Sequence, residues 1–246
     1  MNSNENNVKW FRNAAPYINA HRGKTFVLMF GGEAIQHANF ANIIHDIALL
    51  RSLGVKLVLV HGARAQIEER LTTRAQPQQI KNNIRITDAD TLLAVKDATG
   101  SLRIHIEALL TMGLVNFVIA KPIGVRDGID FKHTGLVRRI DAEGINTQLN
   151  FGSIVLLSPI GYSSTGEVFN LALEDVAAKA AIAIKADKLI TLTEQDGLLD
   201  NKGALIRSCG IATVSQLLVE QKDPVQQLLL KALIQCGKQG VERCHC

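Results

Sequence analysis

Glycine placed where an apolar run stops is the first chemical signal in this chain. Gly31-Gly32-Glu33 follows the run 25–30 (TFVLMF), and His61-Gly62-Ala63-Arg64 follows the run 56–60 (KLVLV). A residue without a Cβ lets backbone N–H groups approach an anion, and a helix opening after the turn adds positive potential. One such turn fits a tight bend as well as a ligand site; two at successive strand ends favour the ligand. Metal chemistry finds less support. His45, His105 and His133 have no partner at ligand spacing, and Cys209, Cys236, Cys244 and Cys246 match no zinc pattern. They are expected to be reduced thiols. No Ser/His/Asp arrangement follows from spacing.

These turns need strands to carry them. Five apolar runs, 25–30, 56–60, 115–120, 153–157 and 188–193, have the length and continuity of strands covered on both faces. Between them, 39–53 has apolar residues at helical spacing and ends at Gly54. The stretch 87–110 opens at Thr87-Asp88 as a cap, 171–186 is alanine-rich, and 210–219 and 223–236 close the series, Pro224 standing at a first helical position. Residues 123–140 carry turn signals, Arg126-Asp127-Gly128 and His133-Thr134-Gly135, and predict hairpins on the sheet's rim. Alternation of this kind predicts an α/β fold, a three-layer αβα sandwich on a mainly parallel open sheet. A helical segment over 1–23 precedes a single domain over 24–246.

Composition narrows the function classes. With 47% hydrophobic residues in 246, a sizeable core is affordable and disorder is excluded. A net charge of +4, with basic residues scattered and 4% aromatics, gives no nucleic-acid footprint. The sequence shows neither a signal peptide nor an apolar run of about 20 residues, so no membrane association and a cytoplasmic location are expected. Arg138-Arg139 reads as a solvated hairpin edge.

The order of motifs resembles the amino-acid-kinase family. Its acetylglutamate kinase branch has Lys-x-Gly-Gly, His-Gly-Gly-Gly, Arg-Val-Thr-Asp and Asn-x-Asn-Ala-Asp in succession. Here stand Met29-Phe30-Gly31-Gly32, His61-Gly62-Ala63-Arg64, Arg85-Ile86-Thr87-Asp88 and Asn170-Leu171-Ala172-Leu173-Glu174, followed by Asp200-Asn201-Lys202-Gly203. The resemblance runs from about Lys24 to the last residue. Its departures remove what phosphoryl transfer requires, because that reaction rests on positioned charge. Met29 replaces the kinase lysine, Glu174 is one methylene longer than the kinase carboxylate, and Ala63 and Arg64 break the glycine trio. The resemblance therefore implies a vestigial kinase site of Gly31, Gly32, Gly62, Arg64, Asn170, Glu174 and Lys202, with no catalytic residue; the turn 163–167 is read as vestigial too.

With Met-x-Gly-Gly and His-Gly-Ala-Arg, the chain looks most like the kinase-like domain of the N-acetylglutamate synthase family. Residues 10–12, 16–18 and 21–24 resemble its lead-in, 124–141 its hairpin region, and 240–245 its closing strand. In that family the domain binds L-arginine as inhibitor, and a following acetyltransferase domain joins acetyl-CoA to glutamate. That domain is absent from this sequence, so no cofactor is expected in this chain, and the connection near Gly113 is short against the family. By the same resemblance Tyr17 would line the arginine site and Lys188 meet the carboxylate. The family's acidic acceptor for the guanidinium follows the closing strand, so weak or lost arginine binding is expected. A homo-oligomer pairing through residues 10–17 is implied. The alternatives are an active acetylglutamate kinase and a non-enzymatic arginine sensor or scaffold acting on a separate acetyltransferase.

Overall fold

Along β1 (Thr25–Phe30) the side chains divide between two cores. Phe26, Leu28 and Phe30 enter one, and Val27 and Met29 enter the other. That is the period-2 alternation of a strand covered on both faces. The computed structural model describes residues 13, 15–81, 84–110, 118–193, 197–200 and 203–246.

In chain order, residues 15–21 form α1 ahead of β1. Then come α2 (Gly32–Gln36), α3 (Phe40–Ser52), β2 (Lys56–His61), α4 (Arg64–Thr73), β3 (Ile80–Lys81), β4 (Ile84–Arg85) and α5 (Ala89–Leu110). The middle of the chain holds β5 (Val118–Pro122), β6 (Val125–Arg126), β7 (Ile129–Asp130), β8 (Gly135–Ile140), α6 (Ala142–Asn150), β9 (Val155–Leu157), β10 (Ile160–Tyr162) and β11 (Val168–Asn170). The rest is α7 (Leu173–Ala183), β12 (Lys188–Leu192), α8 (Ile211–Glu220), α9 (Pro224–Lys238) and β13 (Arg243–His245).

The main sheet has the order β13-β12-β1-β2-β9, parallel throughout. Helices α7 and α9 contribute to the core on one face, and α3, α4 and α5 to the core on the other. The predicted three-layer αβα architecture is the architecture of the chain. Caps fall where composition places them. Asp88 Oδ1 accepts the Thr91 N–H at 2.8 Å, and Asp223 Oδ1 accepts the Val225 N–H at 3.0 Å ahead of Pro224.

Two readings are corrected. Residues 123–140 are not hairpins alone. The β6–β7 hairpin is there, turning at Asp127 and Gly128 with φ of 53° and 74°, but β8 is a full strand. It pairs antiparallel with β5 in a second sheet of order β11-β10-β5-β8. Helices α4 and α6 and strands β10 and β11 add to the elements read from sequence. The short connection at Gly113 lies outside the described residues.

Candidate functional site at the carboxyl ends of the strands

The glycine turns meet. Gly62 N donates to Phe30 O at 2.8 Å, and a Cβ on Gly62 would lie 3.1 Å from Leu173 Cδ2 and 3.2 Å from Gly31 Cα. A Cβ on Gly32 would collide with the Gln66 side chain, whose Nε2 donates to Gly32 O at 2.8 Å. Close approach of two backbones is thus one reason for glycine here. The turns also border a cavity of about 460 Å³ that Gly31, Gly32, Gly62, Arg64, Asn170 and Glu174 line together. Lys202 lies outside the described residues.

Two of the sequence's departures from a kinase site are partners of each other. Arg64 opens α4 and Glu174 sits in the first turn of α7; Arg64 Nη2 stands 3.6 Å from Glu174 Oε1. Glu174 is 5% exposed and its Oε2 has no hydrogen-bond partner among the described residues. Burial raises its pKa and the nearby Glu33 charge adds to this, while Arg64 opposes. A second pair stands one turn further along α4. Arg85 Nη2 donates to Glu68 Oε1 at 3.1 Å, Nη1 has no hydrogen-bond partner among the described residues, and burial lowers the guanidinium's pKa. Asn170 is held in a polar network: its Nδ2 donates to Thr87 Oγ1 at 3.1 Å, Thr134 Oγ1 lies 2.9 Å from the same oxygen and donates to Arg85 O at 2.5 Å.

Met29 has no access to this chemistry. It is 3% exposed, opposite Val60 and Thr191 in register, and belongs to the core cluster of α7 and α9. Among the described residues, the lysine that lines the cavity is Lys231 on α9.

The end of β2 carries a network that spacing did not reveal. His61 is fully buried, its Nε2 2.9 Å from Ser158 Oγ and its Nδ1 3.2 Å from Gly62 O. Arg103 Nη1 donates to the same Ser158 oxygen at 3.2 Å. Burial, with the Arg103 charge adding to it, pushes the His61 pKa down to about 4, against the Gly62 carbonyl. A neutral imidazole here ties β2 to α5 and to the turn after β9. Glu68, Arg85 and Thr134 were also missed as cavity residues; the Arg85-Ile86-Thr87-Asp88 motif and the turn His133-Thr134-Gly135 signalled two of them, and nothing local signalled Glu68.

Tyr17 and Lys188 stand at the opposite end of the sheet. Lys188 opens β12 beside Phe26, its Nζ 5.0 Å from that ring's centroid. His21 stands edge-on to Phe26 at 5.5 Å and Tyr17 edge-on to His21 at 6.1 Å, with Tyr17 74% exposed. These side chains form one aromatic-cationic group, separated from the glycine turns by the length of β1, about 16 Å. Among the described residues, no group of three or more His, Cys, Asp or Glu is placed to hold a metal ion, and no helix is long and apolar enough to cross a membrane.

A doubly covered parallel sheet with its cavity at glycine turns beyond the strand ends defines an α/β ligand-binding fold. The amino acid kinase family model matches residues 24–245, and the chain belongs to that family. It is similar, at 54% identity over 97% of its own length, to the amino-acid acetyltransferase of Ectopseudomonas mendocina (strain ymp), of which it spans 58%. Among solved structures it is similar to the N-acetylglutamate synthase of Neisseria gonorrhoeae. Complexed with coenzyme A and N-acetyl-glutamate, that protein matches with a TM-score of 0.90 at 31% identity, over 97% of this chain and 57% of that one. Its complex with coenzyme A and L-arginine matches with a TM-score of 0.88 at 31% identity, over 95% and 58%.

Proposed function

We propose that this chain is the kinase-like part of an amino-acid acetyltransferase of arginine biosynthesis, silent in phosphoryl transfer and serving to regulate acetylation of glutamate by acetyl-CoA. The observation that carries the silent reading is Met29. A thioether buried in the core cannot neutralise a transferring phosphoryl group, and electrostatic stabilisation is nearly all a protein contributes to that step. The Arg64–Glu174 pair supports the same reading, because both head groups are engaged with each other at the glycine turns. Incubated with Mg-ATP and N-acetylglutamate, the chain is expected to release no ADP above the protein-free rate. Measurable turnover that depends on acetylglutamate overturns the proposal.

The regulatory half rests on the relatives and on the amino-end group of Tyr17, His21, Phe26 and Lys188. L-Arginine is proposed as the effector, with Lys188 near its α-carboxylate. Arginine at about 100 times its Kd adds roughly 2.7 kcal/mol to stability, enough for a rise of several degrees in Tm. Binding is expected to be weak, so the expected result is a Tm that climbs only at millimolar arginine and is unmoved by equal citrulline, since the guanidinium cation is what citrulline lacks. A flat Tm through millimolar arginine overturns the effector role for this chain. The curve also measures how far binding is weakened.

A further inference from the structure

Of the four cysteines in the last quarter of the sequence, two meet at one core. Cys236 sits in the last full turn of α9, fully buried in the core cluster that Cys244, at the middle of β13, packs against. The turn between them is fixed. Val241 N donates to Cys236 O at 3.1 Å, Gly240 takes φ 90°, and Cys244 lies opposite Leu189 in the sheet. Across this turn the two thiols are close enough to shift each other's acidity, and the Cys236 thiol donates to Ala178 O at 3.8 Å.

We propose that Cys244 and Cys236 form a thiol–disulfide modification site in which a hydroperoxide joins the end of α9 to the edge strand β13. Cys244 is the attacking sulfur, because it is partly exposed and Cys236 is not. The neighbouring Cys236 thiol lowers the Cys244 pKa against burial, and Cys244 together with burial raises that of Cys236, so the thiolate forms on the accessible member of the pair. Cys246 has its pKa pushed up to about 11 by burial and by the Cys244 and Cys209 sulfurs, which makes it the poorer nucleophile. In the reaction the Cys244 thiolate attacks a peroxide oxygen and the O–O bond breaks, leaving a sulfenic acid and a hydroxide that is protonated to water. Cys236 then gives up its proton and attacks the Cys244 sulfur; the S–O bond breaks and a second water leaves. Two thiols are oxidised by two electrons and one hydrogen peroxide is reduced to two waters.

The test uses hydrogen peroxide on the full 246-residue chain carrying Cys246→Ser, followed by alkylation and non-reducing trypsin digestion. Cleavage after Lys231, Lys238 and Arg243 places Cys236 in peptide 232–238 and Cys244 in peptide 244–246. The expected product is these two peptides joined, 2 Da below their summed mass and separated by dithiothreitol. In the unsubstituted chain the reactive thiols are expected to fall by two from the four present. In Cys236→Ser the reaction is expected to stop at a Cys244 sulfenic acid that dimedone traps. Peptides recovered as free thiols, a bond to Cys209, or a bond between two chains overturns the proposal.

Discussion

Acidification from pH 6.5 to pH 4 is expected to remove about 3 kcal/mol of stability through one side chain, His61. In the unfolded chain its imidazole takes a proton near the ordinary 6.5, while in the folded chain burial holds that event down to about 4. Between those values the unfolded state binds the extra proton, so stability rises with pH across the window. The contribution is present above pH 6.5 and lost as pH falls toward 4. An imidazolium would have no acceptor of matching charge, because Arg103 stands on the far side of Ser158, 3.2 Å from its hydroxyl. His61→Gln keeps an amide that can reach Ser158 and removes the titration. Denaturant melts at pH 7, 5.5 and 4.5 should show the difference between the two proteins shrinking with acidification, in favour of the variant. Parallel pH slopes for both would refute the assignment to His61.

Four strands of the main sheet, β1, β2, β9 and β12, were legible because each lies in an uninterrupted apolar run, whereas β13 (Arg243–His245) is not apolar and only the resemblance of 240–245 pointed to it. The run 25–30 is β1 with the same bounds, and 56–60 falls one residue short of β2, since His61 reads as a turn residue and is buried. Helix α4 was not legible. Its ten residues bury Gln66, Ile67 and Leu71, and two large apolar anchors among four charged residues make no stripe. Helix α6 repeats the problem with Ile145 and Leu149. Strand β8 was hidden by Arg138 and Arg139, both exposed, beside the register shift at Ile119/Ala120 in its partner β5. For the site, the glycine turns and Glu174 could be placed because each sits at an element's end. What pairs with what could not. Arg64 and Glu174, Glu68 and Arg85, and the thiols of Cys236 and Cys244 meet only through the crossovers, and no local period encodes a contact of that kind. Two departures from a kinase pattern that looked like separate losses are therefore one interaction.

Removing Arg64 is expected to be worse for stability than removing the carboxylate it faces. Arg64→Met takes away the cation that opposes burial at Glu174, which is 5% exposed, a loss put at about 2 kcal/mol at pH 7. The figure is set below that for a fully buried pair because the Arg64 side chain is 38% exposed and water screens the attraction. Glu174→Gln removes the buried charge and lets Arg64 turn to solvent, so its effect is expected to stay within about 1 kcal/mol, and the double variant should resemble it rather than Arg64→Met. The pH dependence separates this from a packing defect. With a folded pKa raised above its unfolded value, Glu174 is taken up protonated by the folded chain first, so its contribution to stability grows as pH falls through that raised value toward 4.5. That sign is opposite to His61, and Glu174→Gln is therefore expected to steepen the acid loss that His61 produces. Without Arg64 the carboxyl pKa moves higher still, and the Arg64→Met defect should shrink as pH falls. Equal effects from the two single substitutions, or a defect that acidification does not reduce, would show that the pair is held by packing rather than by charge. A pair held by charge also explains why the cavity accommodates two arginines where a kinase keeps open backbone. Each guanidinium is answered by a carboxylate of this chain, and the charge that would meet a phosphoryl group is already balanced.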